Sequence, residues 1–282
     1  MIRRLQRRVV RPFVAFQFCG VLLGAAACGT EEVRSVGDSA AAPPSDASAA
    51  APTDKYVPEV EEGLGASIAI VIDNSGSMKK EAEGDSRPKY VVAREALEAM
   101  LASTDSFALR QPDFPINVGL YVFSSRVTPL VPVTRYNREA LRAALDAMPE
   151  PDGGTAIGRA MDAAREGLYR AGTFRKYILV VTDGENTTGV SPRRIAKEID
   201  RRSEGAVRMY FVAFDIDADR FAFLRDVRGE VVGARNGDAL RTRLDEIYRG
   251  KILSEAVDAG ETHPAAAGSA ARDSTKPPTT PR

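Results

Sequence analysis

Between residues 64 and 257 the chain alternates two kinds of segment. Short runs are apolar at nearly every position: 68–72 (IAIVI), 118–123 (VGLYVF), 177–181 (YILVV) and 209–214 (MYFVAF). Such runs have no polar face to turn to water, which is the pattern of strands covered on both sides. Longer amphipathic stretches separate most of them. Tyr90, Ala93, Leu97, Met100 and Leu101 fall on one helical face, as do Ile157, Met161, Ala164 and Leu168, and further on Leu240, Leu244 and Ile247. Ser191-Pro192 sets a cap and a first-turn proline ahead of Ile195 and Ile199. Strands alternating with helices predict an α/β fold: a doubly wound, mostly parallel sheet with helices on both faces and right-handed crossovers. Residues 126–133 (RVTPLVPV) follow the second apolar run too closely for a crossover helix. They are expected to pair antiparallel at an edge of the sheet, where Pro129 and Pro132 do least damage.

The flanks lack this periodicity. Residues 28–63 are rich in Ala, Pro and Ser and carry eight acids against two bases, which predicts a disordered acidic tether. Residues 258–282 carry Pro, Thr, Ala and Ser and are expected to be a disordered tail. At the start, Arg3, Arg4, Arg7, Arg8 and Arg11 precede an apolar run that ends in small residues, so 1–27 are expected to form a signal peptide. Ala25-Ala26-Ala27-Cys28-Gly29 resembles the lipobox of bacterial lipoproteins, although Ala25 stands where that motif usually has leucine. The resemblance implies lipidation of Cys28 and a chain tethered to a membrane of the cell envelope; the alternative is a simply cleaved export signal.

Composition narrows the chemistry. The single histidine, His263, falls in the expected tail, and both cysteines, Cys19 and Cys28, fall in the first thirty residues. The folded segment therefore has no imidazole for a Ser-His-Asp triad or a zinc site, and no thiol for a disulfide or a nucleophile. Without residues 1–27, which hold five arginines and no acid, 34 bases face 39 acids, and nothing suggests nucleic-acid binding.

Polar residues concentrate where strands are expected to end. Asp73-Asn74-Ser75-Gly76-Ser77-Met78 follows the first run, with oxygen side chains at alternate positions and a Gly76 free to take a positive φ in a sharp turn. Ligands of open α/β sheets gather beyond the carboxyl ends of strands. Carboxylates and hydroxyls together are hard ligands, suited to Mg²⁺, Mn²⁺ or Ca²⁺. The same residues are also ordinary turn and cap formers, so this segment alone leaves both readings open. Two further loops belong on the same edge: Pro151-Asp152-Gly153-Gly154-Thr155 before the 157–168 helix, and Thr182-Asp183-Gly184-Glu185 after the third run.

In this combination the chain resembles the von Willebrand factor type A (VWA) domain over roughly residues 64–257. Its metal ion-dependent adhesion site (MIDAS) reads Asp-x-Ser-x-Ser, then Thr, then Asp. Asp73, Ser75, Ser77, Thr155 and Asp183 fill every position in order. The resemblance implies a Rossmann-like fold and a bound Mg²⁺, or Mn²⁺ or Ca²⁺. It implies that Ser75, Ser77 and at times Thr155 touch the ion while Asp73 and Asp183 act mainly through waters. It further implies a protein partner that completes the shell with an acidic residue, and no catalysis. The rival functions are a metal-dependent hydrolase, with Asp73 or Asp183 as base and Glu185 or Lys79 as acid, and an accessory subunit of an envelope assembly or ATPase system.

Two other motifs fare worse. Asp215-Ile216-Asp217-Ala218-Asp219 opens like a calcium loop but has Arg220 and Asp226 where an EF-hand needs Gly and Glu. It is expected to end a strand and cap the helix bearing Phe221, Phe223 and Leu224. Gly153-Gly154-Thr155 lacks the lysine of a phosphate loop.

Overall fold

The computed structural model describes residues 55–59 and 62–255. Strand β1 (Gly63–Asp73) is followed by a 3₁₀ turn (Gly76–Lys79), helix α1 (Lys89–Arg110), strands β2 (Ile116–Phe123) and β3 (Val127–Arg135), and helices α2 (Arg138–Asp146) and α3 (Ile157–Arg170). Strand β4 (Thr173–Thr182), helix α4 (Pro192–Arg202), strand β5 (Val207–Phe214), a 3₁₀ segment (Ala218–Asp226), strand β6 (Gly229–Ala234), helix α5 (Gly237–Ile247) and a π-helical turn (Tyr248–Leu253) complete it. The six strands lie in the order β3-β2-β1-β4-β5-β6. All neighbours are parallel except β2 and β3.

Side-chain alternation along each strand builds two cores. Ile68, Ile70 and Ile72 of β1, Leu179 and Val181 of β4 and Val212 of β5 join Leu97 and Leu101 of α1, Leu141 of α2 and Leu244 of α5 on one face. Ala69 and Val71, Ile178 and Val180, and Phe211 turn the other way, onto Met161 and Leu168 of α3, Ile199 of α4 and Phe221 of the 3₁₀ segment. Burial on both faces is why these runs carry no polar alternation. Strand β3 is half exposed and pairs with β2 at the edge, and a bulge lets it pass Gly119, where any Cβ would sit 2.7 Å from Val133.

Periodicity does not reveal α2, β6 or the π turn. Strand β6 (GEVVGA) is only six residues long and mostly half-buried, so its apolar signal is weak. Ser191 occupies the N-cap of α4 with Pro192 following it, yet its side chain makes no capping bond. Within the stretch read as a tether, Tyr56 packs its ring 5.3 Å from that of Tyr169 and lies between the guanidinium groups of Arg165 and Arg202. Residues 1–27 with Cys28, most of 28–63, and 258–282 lie outside the described residues. Among those described, no helix is long and apolar enough to cross a membrane.

Candidate metal centre

The chain leaves β1 toward β2 on one side, while β4 lies against β1 on the other. Connections therefore diverge at the carboxyl end of β1 and open a crevice there. Three loops meet at this pole. The first is tied to the second by Gly76 N–H donating to the Gly153 carbonyl (3.0 Å) and Asp152 N–H to the Asn74 carbonyl (2.9 Å). The second is tied to the third by Thr155 N–H donating to Thr187 Oγ1 (2.8 Å) and Thr187 N–H returning to the Thr155 carbonyl (2.9 Å). Gly153 adopts φ +75°, and a Cβ on Gly154 would lie 2.7 Å from Thr188 and 2.8 Å from Thr187. The glycine pair is what lets these loops close up. Gly76 departs from expectation: it has no positive φ, because the chain continues directly into a 3₁₀ turn.

The side chains converge. Ser75 Oγ and Ser77 Oγ are 3.0 Å apart, and Ser77 donates to Asp183 Oδ1 at 2.7 Å. Asp73 accepts from Ser75 N–H on Oδ1 (2.8 Å) and from the Thr182 hydroxyl on Oδ2 (2.5 Å), which aims its carboxylate under the first loop. Thr155 Oγ1 and Ser77 Oγ flank Gly184, where a Cβ would lie 3.5 Å and 3.8 Å from them. Asp73, Ser75, Thr155 and Asp183 are buried and Ser77 is half-buried. Burial pushes the Asp73 carboxyl up to about 6, against the opposing hydrogen bonds from Thr182 and Ser75.

Sequence reasoning missed two residues here. Lys89, the first residue of α1, is buried with its ammonium 3.1 Å from Asp183 Oδ2 and 2.7 Å from Asp215 Oδ2. Burial opposes its charge, but the bonds to Asp215 and Asp183 more than offset this and hold its pKa above the ordinary lysine value. The signal was a lysine in phase with the buried stripe Val92, Ala93, Ala96, Leu97 and Met100. Asp215 follows β5, as the strand-end reading expects, and takes a left-handed conformation (φ 53°). Asp217 caps the 3₁₀ segment through Asp219 N–H at 3.0 Å, in line with the cap expected there.

The donor set suits a hard cation. Among the described residues no group of three or more His, Cys, Asp or Glu could hold a metal, so an ion here must draw on hydroxyls. The hydroxyls are present and adjacent. Asn74 Oδ1 and Thr188 Oγ1, buried polar atoms with no partner, also belong to loops of this pole. Oxygen-only coordination of this kind fits Mg²⁺, Mn²⁺ or Ca²⁺.

A family model, the von Willebrand factor type A domain, matches residues 67–236. The chain belongs to this family. VWA domains commonly bind proteins through a divalent metal at a MIDAS motif. No curated protein matches the chain. Its VWA fold is similar to the D319A mutant of the PilB minor pilin from Streptococcus sanguinis, at 15% identity and TM-score 0.57 over 72% of this chain and 65% of that one. It is also similar to conserved hypothetical protein BatB from Bacteroides thetaiotaomicron, at 17% identity and TM-score 0.53 over 68% of this chain and 100% of that one. A third likeness is to proximal thread matrix protein 1 from the mussel byssus, in a structure with a zinc-occupied MIDAS motif, at 19% identity and TM-score 0.51 over 71% of this chain and 48% of that one. The chain thus spans less than two thirds of the pilin and about half of the byssus protein.

Proposed function

We propose that this protein is an envelope-located binding module that recruits a protein ligand through a divalent cation, Mg²⁺ by preference with Mn²⁺ or Ca²⁺ as substitutes, and performs no turnover. Ser75, Ser77 and Thr155 would hold the ion, with Asp73 and Asp183 behind them. The observation that carries this reading is the convergence of Ser75, Ser77 and Asp183 through hydrogen bonds of 3.0 and 2.7 Å, across a sequence separation of more than a hundred residues. When bound, such an ion offers an electrophilic position to a carboxylate on the partner, since neutral hydroxyls leave most of its charge uncompensated. The loops supply the rest: Gly153 and Gly154 keep the backbone close, Thr182 and Ser75 orient Asp73, and Lys89 orients Asp183. The ion is exchangeable in this reading, unlike a structural zinc held by thiolates and imidazoles, because the donors are neutral or shared.

The non-catalytic reading draws support from the two side chains considered as general acids. Lys79 lies 3.9 Å from Glu150, and Glu185 pairs with Arg220, all of them well exposed, so neither is held toward the hydroxyl cluster by burial. Membrane attachment through Cys28 belongs to the same proposal. The VWA-type relatives that include a minor pilin are consistent with an envelope setting.

The test is calorimetric titration of the purified protein with Mg²⁺ and Mn²⁺, followed by affinity capture from an envelope extract with Mg²⁺, with chelator, and with Ser77→Ala. The expected result is saturable binding of one ion and a captured protein lost under both controls while circular dichroism is unchanged. Capture that survives both controls would defeat the adhesion reading, and turnover of small esters or phosphates by the isolated protein would reverse the choice of function class.

A further inference from the structure

Lys89 is an unusual guest at this pole. Its position at the start of α1 places a cation where the helix dipole already presents positive charge, and its side chain is only 7% exposed. Both penalties are offset by carboxylates from two different strand ends, Asp183 after β4 and Asp215 after β5. The consequence falls on Asp183, whose side chain is fully buried. One of its oxygens, Oδ2, faces the ammonium at 3.1 Å, and the other, Oδ1, accepts the Ser77 hydroxyl at 2.7 Å. The carboxylate is split between an internal cation and the hydroxyl cluster.

We infer that Lys89 is a built-in counter-ion that limits how tightly this pole holds a divalent cation, by occupying Asp183 Oδ2 and withholding part of that carboxylate's charge. The inference rests on the metal-binding reading above and adds a regulator to it. Lys89 acts on the site in two opposed ways. Lys89 orients Asp183, and loss of an orienting partner costs a metal site about ten- to a hundredfold in affinity. It also places a unit positive charge against a candidate ligand, and at the effective dielectric of a protein surface, well below that of water, repulsion between a unit charge and a divalent ion a few ångströms apart shifts binding by more than that. The Ser77 hydroxyl still orients Asp183 when Lys89 is gone, so the charge effect wins. Weak retention has a functional counterpart: an ion whose charge is less neutralised by the protein has more to offer a partner's carboxylate. Lys89 also keeps the metal-free pole paired, so the fold does not depend on the ion.

The test is calorimetric titration of the full chain with Mg²⁺ and Mn²⁺, together with melting in chelator and in saturating metal. Lys89→Met is expected to bind at least about tenfold tighter than the wild type and to show a lower melting temperature in chelator, with a larger rise on adding metal. Lys89→Arg, which keeps the charge, should stay within about threefold of the wild type. Asp215→Asn moves the other way: with one of its two carboxylates neutral, the ammonium bears more fully on Asp183, and binding should weaken several-fold. This variant alters a half-exposed side chain and remains informative should Lys89→Met fail to fold. Lys89→Met binding no tighter than the wild type, or Asp215→Asn binding as tightly or more so, would overturn the inference while leaving the metal site standing. A wild type that binds neither ion would remove both.

Discussion

The two poles of the sheet each bury a lysine, and they treat it differently. At the amino ends of the strands, Lys176 is 1% exposed, pairs with Glu62, donates to the Thr173 carbonyl at 2.7 Å and lies over the Tyr169 ring. Around it Thr173 donates to Ser67 at 2.7 Å, and Asn117 donates to the Ala171 carbonyl at 3.1 Å. One cation meets one carboxylate, and the neighbouring polar groups are matched. At the carboxyl ends, the single ammonium of Lys89 faces Asp183 and Asp215, with Asp73 close behind. Three acids against one base leave an excess of negative charge, and among the described residues both of the unpartnered buried polar atoms lie in this pole's loops. A buried lysine is therefore not informative in itself. What separates a structural pole from a binding pole is whether every charge and hydrogen-bonding group has a match.

If that distinction holds, mutations at one pole should alter stability and those at the other should alter ligand binding. The largest effect is expected from Lys176→Met, which strands Glu62 and the Thr173 carbonyl: about 3 kcal/mol of stability lost in denaturant unfolding, with Mg²⁺ affinity unchanged within about twofold. A change in metal affinity there would break the comparison. The double substitution Ser75→Ala, Ser77→Ala should do the reverse. We expect metal binding weakened at least about a hundredfold, beyond the loss of an outer-shell partner, with little change in the urea midpoint.

The pH dependence sharpens the same point. Asp73 has a folded-state pKa near 6 against an unfolded value of 3.8, so between those values the folded protein binds the extra proton. In chelator, its contribution therefore falls as pH rises from about 4 to about 6 and levels above, by about 3 kcal/mol. Asp73→Asn removes that dependence. The stability of this variant relative to the wild type should rise across the window, and a flat difference would show that burial does not disfavour this carboxylate. The smallest effect belongs to Tyr56→Ala at the amino pole. Losing one ring pair and two half-exposed cation contacts should cost about 1–2 kcal/mol and leave metal binding alone.

Much of this molecule is legible along the chain. The four apolar runs correspond to β1, β2, β4 and β5, and the proline-bearing segment to the antiparallel edge strand β3. Continuous apolarity is unambiguous when both faces of a sheet are covered, which is why these strands are readable and the half-buried β6 is not. At the site, the resemblance to the VWA motif named Asp73, Ser75, Ser77, Thr155 and Asp183 as candidates, and the structure brings Ser75, Ser77 and Asp183 within hydrogen-bonding distance. The pairing of Lys89 with Asp183 and Asp215 stays hidden, because an ion pair between the start of one helix and the ends of distant strands leaves no pattern that links its partners along the chain.

The sequence by itself determined which long apolar runs are buried strands, and their alternation with helices set the loops that follow them on one edge of a parallel sheet. Only the tertiary structure decided how charge is distributed at that edge. Electrostatic neighbours are set by separation in space, and Lys89 stands 94 positions along the chain from the Asp183 carboxylate it holds.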